Sequence, residues 1–226
     1  MIFSKDPQTQ TIHNPSLPQS PSLVIHTLQF GLTLIELLMV IGILGIIGFL
    51  AVPDFSHSLQ KSQAKSVSLS LLTRFMEARQ AALSLGNSVV LCPANPDHTT
   101  VDHEKSGQSI SCGKNWNHGS MTFVDNNFNQ ALDHTEQLIS GHHEHINHGH
   151  IRLRVFTNRN HLRFKANGLL HHYTAGNFTY CPNNGDTRYA RQIIFNRLGR
   201  ARIAQDIDQD GYRENAKRQA IDCPET

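Results

Sequence analysis

The run LTLIELLMVIGILGIIGFLAV, residues 32–52, constrains this chain more than any other stretch. About twenty nearly all apolar residues match the hydrocarbon thickness of a bilayer when they are helical. A secretory signal peptide has a shorter apolar region and exits on small residues. Here the run continues into AVPDFSHSLQKSQAKSVSLSLLTRFMEARQAALSLG, where Leu69, Leu72, Phe75, Met76 and Ala82 recur at helical spacing. The spacing predicts one long helix from about Leu32 to Leu85. Residues 32–52 form its transmembrane half and residues 53–86 its amphipathic half. Pro53 lacks an amide donor and clashes with the preceding turn, so it should kink or loosen the helix. Gly86-Asn87 is its expected stop.

One carboxylate, Glu36, interrupts the apolar run. A charged side chain near the start of a membrane helix is costly, which makes it a functional residue by default. The competing reading places it simply at the lipid interface.

The residues around it are Phe30-Gly31-Leu32-Thr33-Leu34-Ile35-Glu36. Together with the apolar run they resemble the class III leader of type IV prepilins and pseudopilins. The resemblance implies that a membrane prepilin peptidase cuts after Gly31, so that residues 1–31 are a leader. It also implies N-methylation of the new terminus, Leu32. Glu36, then the fifth mature residue, would pair with the amine of a neighbouring subunit during filament assembly. The physics agrees, because a carboxylate inside an apolar filament core needs a cationic partner. Two departures stand out. The family usually begins its mature chain with phenylalanine, and this chain has Leu32. The leader is long, rich in Pro, Ser, Thr and Gln, and of disordered composition, with Lys5 as its only Lys or Arg. Lys61 and Lys65 lie beyond the run, so the positive-inside rule gives no orientation. Orientation rests on the resemblance and on the cysteines.

The cysteines, Cys92, Cys112, Cys181 and Cys223, all follow the apolar run. An even number there suits two disulfides in an oxidising compartment rather than free thiols in the cytosol. No CxxC pair occurs, which argues against a zinc ribbon or a thioredoxin-like motif. Residues alone leave three pairings open.

Beyond Gly86 the helical period ends. Short apolar runs alternate with turn residues: SVVLC, SMTFVD, EQLIS, IRLRVF, HLRF, GLLHHY, NFTYC, RQIIFN and ARIA. They predict a meander of short antiparallel strands across residues 87–226, ending in a C-terminal tail. The helix should pack its stripe on that sheet. The fold class is α+β: a long N-terminal helix on an antiparallel β-sheet domain. About 140 residues bury only a modest core, which two disulfides would support.

Within this domain, LCPANPD and then CGKNWNHGSMTFVDNN narrow the resemblance to the FimT and GspH branch of minor pilins and pseudopilins. The residues that carry it are Leu91, Cys92, Pro93, Cys112, Trp116, Gly119, Phe123 and Asp125. By that analogy Cys92 pairs with Cys112 and Cys181 with Cys223, the second bridge pinning the tail to the sheet. The resemblance implies a type IV pilin fold, a single pass through the inner membrane and a periplasmic C-terminal domain. It implies other pilin subunits as partners, in a pilus or pseudopilus.

Net charge is only +2, but its distribution is uneven. Arg152, Arg154, Arg159, Arg163 and Lys165 lie in an acid-free stretch from His145 to Gly185. Arg188, Arg191, Arg197, Arg200 and Arg202 lie in a second, from Thr187 to Ile203, and only Asp186 separates the two. Such a footprint attracts phosphate backbones, and arginine suits bidentate phosphate contact. Gly199-Arg200-Ala201-Arg202 puts two arginines on one side of an extended chain, after a glycine that permits a turn or close approach. This GRAR resembles the GRxR motif of FimT proteins that bind DNA for uptake in natural transformation. It implies that Arg200 and Arg202 contact DNA, with Gly199 shaping the backbone and Arg197 and Arg191 assisting. Lys217 and Arg218 add to the patch, diluted by Asp222 and Glu225. Contacts mainly to phosphates would be sequence-tolerant and salt-sensitive. No row of aromatics argues for single-strand preference. The competing reading is a solvated strand in a structural minor pilin or a GspH-like secretion pseudopilin, priming or capping a filament without touching DNA.

Asp206, Asp208, Asp210 and Gly211 resemble the opening of a calcium loop, but its twelfth position is Lys217, so the EF-hand pattern fails and a turn is the favoured reading. No cofactor is implied. His134, His142, His143, His145, His148 and His150 sit in a Gly/His/Asn-rich segment without fixed ligand spacing, which reads as a solvated loop. No nucleophile, base and acid combine into a catalytic set, so the chain reads as a non-enzyme.

Overall fold

The computed structural model describes residues 31, 33–97, 109–143, 145–156 and 159–223, without the side chains of residues 50–54 and 173. The leader up to residue 30, and Leu32, lie outside the described residues. The chain divides into two units, Met1–Phe49 and Leu50–Thr226.

Helix α1 spans Leu34–Leu85, 52 residues. Thr33 caps its start: the Glu36 amide donates to Thr33 Oγ1 at 3.3 Å. Thr33-x-x-Glu36 is thus the spacing of a capping box, and the carboxylate lies in the first turn, where the helix dipole favours negative charge. In the first unit the large apolar side chains of α1 are exposed, from Leu34 to Phe49. Among the described residues no helix is long and apolar enough to cross a membrane. The apolar run of the sequence ends in residues 50–52, whose side chains fall outside that description.

In the second unit α1 buries Ala64, Val67, Leu71, Phe75, Ala78 and Ala82. They recur every three or four residues, which is one helical face. The expected stripe was different in part: Leu69 and Met76 are 44% and 46% exposed. Alanines at 64, 78 and 82 let the helix approach the sheets closely, and their small side chains give a weak hydrophobic signal. Phe75 meets both sheets, edge-on to Phe164 at 5.1 Å and stacked on Phe195 at 5.2 Å. Truncating such a fully buried ring to alanine costs about 3–5 kcal/mol.

The strands are β1 (Val89–Pro93), β2 (Ile110–Ser111), β3 (Ser120–Val124), β4 (Ala131–Leu132), β5 (Leu138–His142), β6 (Gly149–Val155), β7 (Leu162–Phe164), β8 (Gly176–Pro182), β9 (Arg191–Phe195) and β10 (Ala201–Ile203). GLLHHY is not a strand. Leu170 makes a single bridge to Phe164, and His171–Tyr173 is a 3-10 turn. Nor is the topology a single meander. Two four-stranded antiparallel sheets form, ordered β5-β3-β1-β7 and β10-β9-β8-β6, with a β2-β4 ribbon. The helix stripe and both sheets share one core, to which Val89, Leu91, Leu162, Ile151, Phe178 and Ile193 belong.

Two satellites lie outside that core. The ribbon caps Val90, Cys92, Met121 and Phe123 with Ile110 and Leu132. Ile221 of the tail packs on Ala190 and Ala204. A disulfide fastens each: Cys92–Cys112, Cα atoms 5.7 Å apart, and Cys181–Cys223, 5.8 Å apart. Both separations suit unstrained bridges. This is the pairing the resemblance implied.

Candidate nucleic-acid interface

The predicted arginines sit on the hairpin between β9 and β10. Its turn closes with the Gly199 amide donating to the Asn196 carbonyl at 3.0 Å, and the Asn196 amide to the Arg200 carbonyl at 3.0 Å. Asn196 Oδ1 also accepts from the Leu198 and Arg200 amides, at 3.0 and 3.1 Å. Gly199 sits at φ +70°, the left-handed position a three-residue hairpin loop requires at its last residue. The loop Arg197-Leu198-Gly199 thus follows from an asparagine that organises the turn and a glycine that completes it. The sequence reading singled out Gly199 but missed Asn196, although Asn before a turn is a recognisable signal.

A second tip braces the first. Gly168, at φ +71°, closes the Lys165–Leu169 turn. The Leu170 amide donates to the Arg197 carbonyl at 3.1 Å, and Arg79 Nε of α1 donates to the Gly168 carbonyl at 3.2 Å. The hairpin is therefore held by backbone contacts while Arg197, Arg200 and Arg202 stay exposed. Among the described residues none of these three has an ion pair.

Other members of the basic stretches do not belong here. Arg191 was expected to assist, and the structure corrects this. It is 4% exposed, and its Nη1 donates to the Arg188 and Ala190 carbonyls at 3.2 and 2.8 Å. Burial first, and then the neighbouring Arg213, bring its pKa down to about 10. It lines a cleft with Lys61, Lys65, Asp206 and Arg213. Arg163 is buried as well, its Nη2 2.6 Å from Asp125 Oδ2, with its guanidinium over the Phe128 ring. Arg188 pairs with Asp186 at 2.6 Å, and that contact holds the Asp186 carboxyl below its ordinary range.

The acidic loop after β10 is more complete than the sequence suggested. Asp206, Asp208, Asp210 and also Glu214 bring one carboxylate oxygen each within 4.8 Å of one another. Glu214 is buried, and its Oε2 accepts from the Ile207 amide at 2.9 Å. The loop's own amides satisfy much of the cluster: Gly211 donates to Asp206 Oδ2 at 3.0 Å and Tyr212 to Asp210 Oδ1 at 2.8 Å. Turn formation accounts for these contacts. Among the described residues no histidine joins such a group. Of the leader-proximal residues, Gly31 and Glu36 are exposed.

A family model for type II transport protein GspH matches residues 68–199. Arg200 and Arg202 follow directly after that segment. Among solved structures, the type IV minor pilin FimU of Pseudomonas aeruginosa strain PAO1 is similar in two crystal forms. In space group P21 the identity is 19%, the match covers 64% of this chain and 90% of that one, and the TM-score is 0.46. In P65 the corresponding values are 20%, 62%, 92% and 0.44. No curated protein sequence matches significantly.

Proposed function

The chain belongs to the GspH family of type II transport proteins, and from that premise we propose that it is a minor type IV pilin that binds extracellular DNA for uptake in natural transformation. Arg200 and Arg202 make the contact, Arg197 assists, and Gly199 sets the backbone. The observation that carries this reading is the braced hairpin. Its arginines are exposed and unpaired among the described residues, whereas Arg163, Arg188 and Arg191 nearby are all engaged. Charges held ready by a fixed backbone suit phosphate contact at low ordering cost.

The test is duplex binding by the full chain in detergent micelles, with and without Arg200→Gln plus Arg202→Gln, over a range of salt. Affinity should fall steeply with salt in the parent and drop in the double variant. Equal affinity in both would remove the proposed site. A parent that shows no salt-dependent binding would remove the DNA function. The family match favours the second reading in that event: a structural minor pilin or secretion pseudopilin.

Both readings share an inner-membrane origin. Prepilin peptidase cuts after Gly31, methylation follows on Leu32, and residues 32–52 anchor the subunit with its C-terminal domain in the periplasm. The motif and the exposed apolar start of α1 support this. Glu36→Ala should spare cleavage and impair incorporation into filaments. Normal incorporation would leave Glu36 with only its place in the first helical turn.

A further inference from the structure

The strand register joins residues that lie far apart in sequence. Arg202 pairs with Ile194, Ile194 with Asn177, and Asn177 with Arg154. Directly paired residues share a sheet face. Arg202 on one edge strand and Arg154 on the other therefore mark the two ends of one row. Arg152 lies two residues from Arg154 and Arg200 two from Arg202, so each joins the same face. All four are exposed, and among the described residues none has a carboxylate partner. Three strand spacings separate the two pairs, roughly 14 Å.

The floor between them is partly covered by the tail: Ile194 and Cys223 pack on the cluster of Ala190, Ala204 and Ile221, and Gln192 is buried. In the adjacent row Gln192 pairs with Thr179 and Thr179 with Arg152. Gln192 Nε2 donates to Thr179 Oγ1, and that hydroxyl to Asn177 Oδ1, both at 3.0 Å. The sheet residues between the two arginine pairs, Ile194, Asn177, Gln192 and Thr179, carry no charge. Asn215 and Asp222 of the tail line a cavity at this face with His150, Arg152, Arg154, Thr179 and Gln192, so one carboxylate shares the cavity with the second arginine pair. Burial first, and then Arg152, hold the His150 pKa below its ordinary value, so this residue adds no charge at neutral pH.

We propose that the exposed arginines at the two edges of the β10-β9-β8-β6 sheet form one DNA footprint that passes over the tail, with Arg152 and Arg154 holding the second phosphodiester strand of a duplex whose first strand is held by Arg200 and Arg202. This rests on the DNA-binding reading above. The separation of the pairs is close to the width of a duplex major groove, about 12 Å, with the flexible arginine stems taking up the difference. One single strand laid along either edge engages only one pair. The face is therefore a duplex reader by spacing rather than by base contacts.

The test uses the full chain in detergent micelles with a random 30-base-pair duplex and one of its strands as probes. Four proteins are compared with the parent: Arg152→Gln with Arg154→Gln, the corresponding double lysine variant, Arg200→Gln with Arg202→Gln, and Arg159→Gln as an exposed basic control. Removing Arg152 and Arg154 should reduce the magnitude of the duplex salt slope by about 1.8, near 0.9 for each lost phosphate contact. Duplex affinity should fall at least tenfold, with single-strand affinity changing little. The lysine variant should keep the parental slope, and Arg159→Gln should change neither probe. Parental duplex binding by the Arg152/Arg154 variant, beside impaired binding by the Arg200/Arg202 variant, overturns this inference and leaves the hairpin site standing. Equal losses on both probes, or an equal loss in Arg159→Gln, overturn it as well. Absence of salt-dependent binding in the parent overturns the DNA reading itself.

Discussion

A methyl group placed on Gly199 would lie closer than 3.0 Å to the carbonyl oxygen of Gly168, so the arginine-bearing hairpin seats where only a hydrogen fits. Gly199 also holds a φ of +70°, which side-chain-bearing residues adopt at a cost of about 1–2 kcal/mol. Gly199→Ala therefore carries two penalties, strain and crowding against backbone. Overpacking adds about 1–3 kcal/mol, so the total loss is about 2–5 kcal/mol. Gly185→Ala is the control, because Gly185 shares φ +70° and has nothing within 4 Å of the added carbon. Urea midpoints of the two variants measure the difference. Equal, small shifts would show that the close seat on Gly168 has no energetic weight.

Asp125 and Arg163 supply the second prediction. Asp125 is fully buried and Arg163 nearly so, and Asp125 Oδ2 also accepts from the Gln130 amide at 3.1 Å. Asp125→Ala strands a buried guanidinium, and breaking a buried pair this way costs about 3–5 kcal/mol. Replacing both partners with apolar residues removes the stranded charge. Asp125→Leu with Arg163→Met should therefore recover most of the loss. Denaturant titrations of the two variants check this. A double variant no more stable than Asp125→Ala would contradict it. The duplex salt slope of the double variant should match the parent's, since Arg163 is not on the surface.

These two sites also show what was legible in the sequence and what was not. The long helix, most of the strands and the GRAR hairpin stood out because each has a local signature: helical spacing, short apolar runs between turns, and a glycine before paired arginines. Disulfide pairing was reached only through the family resemblance. Burial of Arg163 and Arg191 was hidden. Their strands, β7 and β9, are covered on both faces and carry no alternation that would mark an outward side. β6 does alternate, and Arg152 and Arg154 share its exposed parity. Their partnership with Arg202 depends on strand order, which no local pattern encodes. The Asp125–Arg163 pair joins residues 38 apart, so a charge count along the chain put Arg163 in the wrong class.

His161 gives the stability of the domain a pH dependence with a definite sign. The residue is half-buried next to this ion pair. Burial first, then Arg163 and Arg159, push its pKa down to about 4, while Asp125 opposes the shift. The unfolded chain binds the same proton near 6.5. Between these two values the unfolded state holds more protons than the folded state, so unfolding free energy rises with pH across the window. The contribution is complete above pH 6.5 and is lost progressively as pH falls toward 4. Below that it changes no further. Other groups titrate in the same range, so the measurement is a comparison: urea midpoints at pH 7.5 and 4.5 for the parent and for His161→Gln. The variant should lose less stability between the two pH values than the parent. An identical loss in both would mean that the folded domain does not resist protonation of His161.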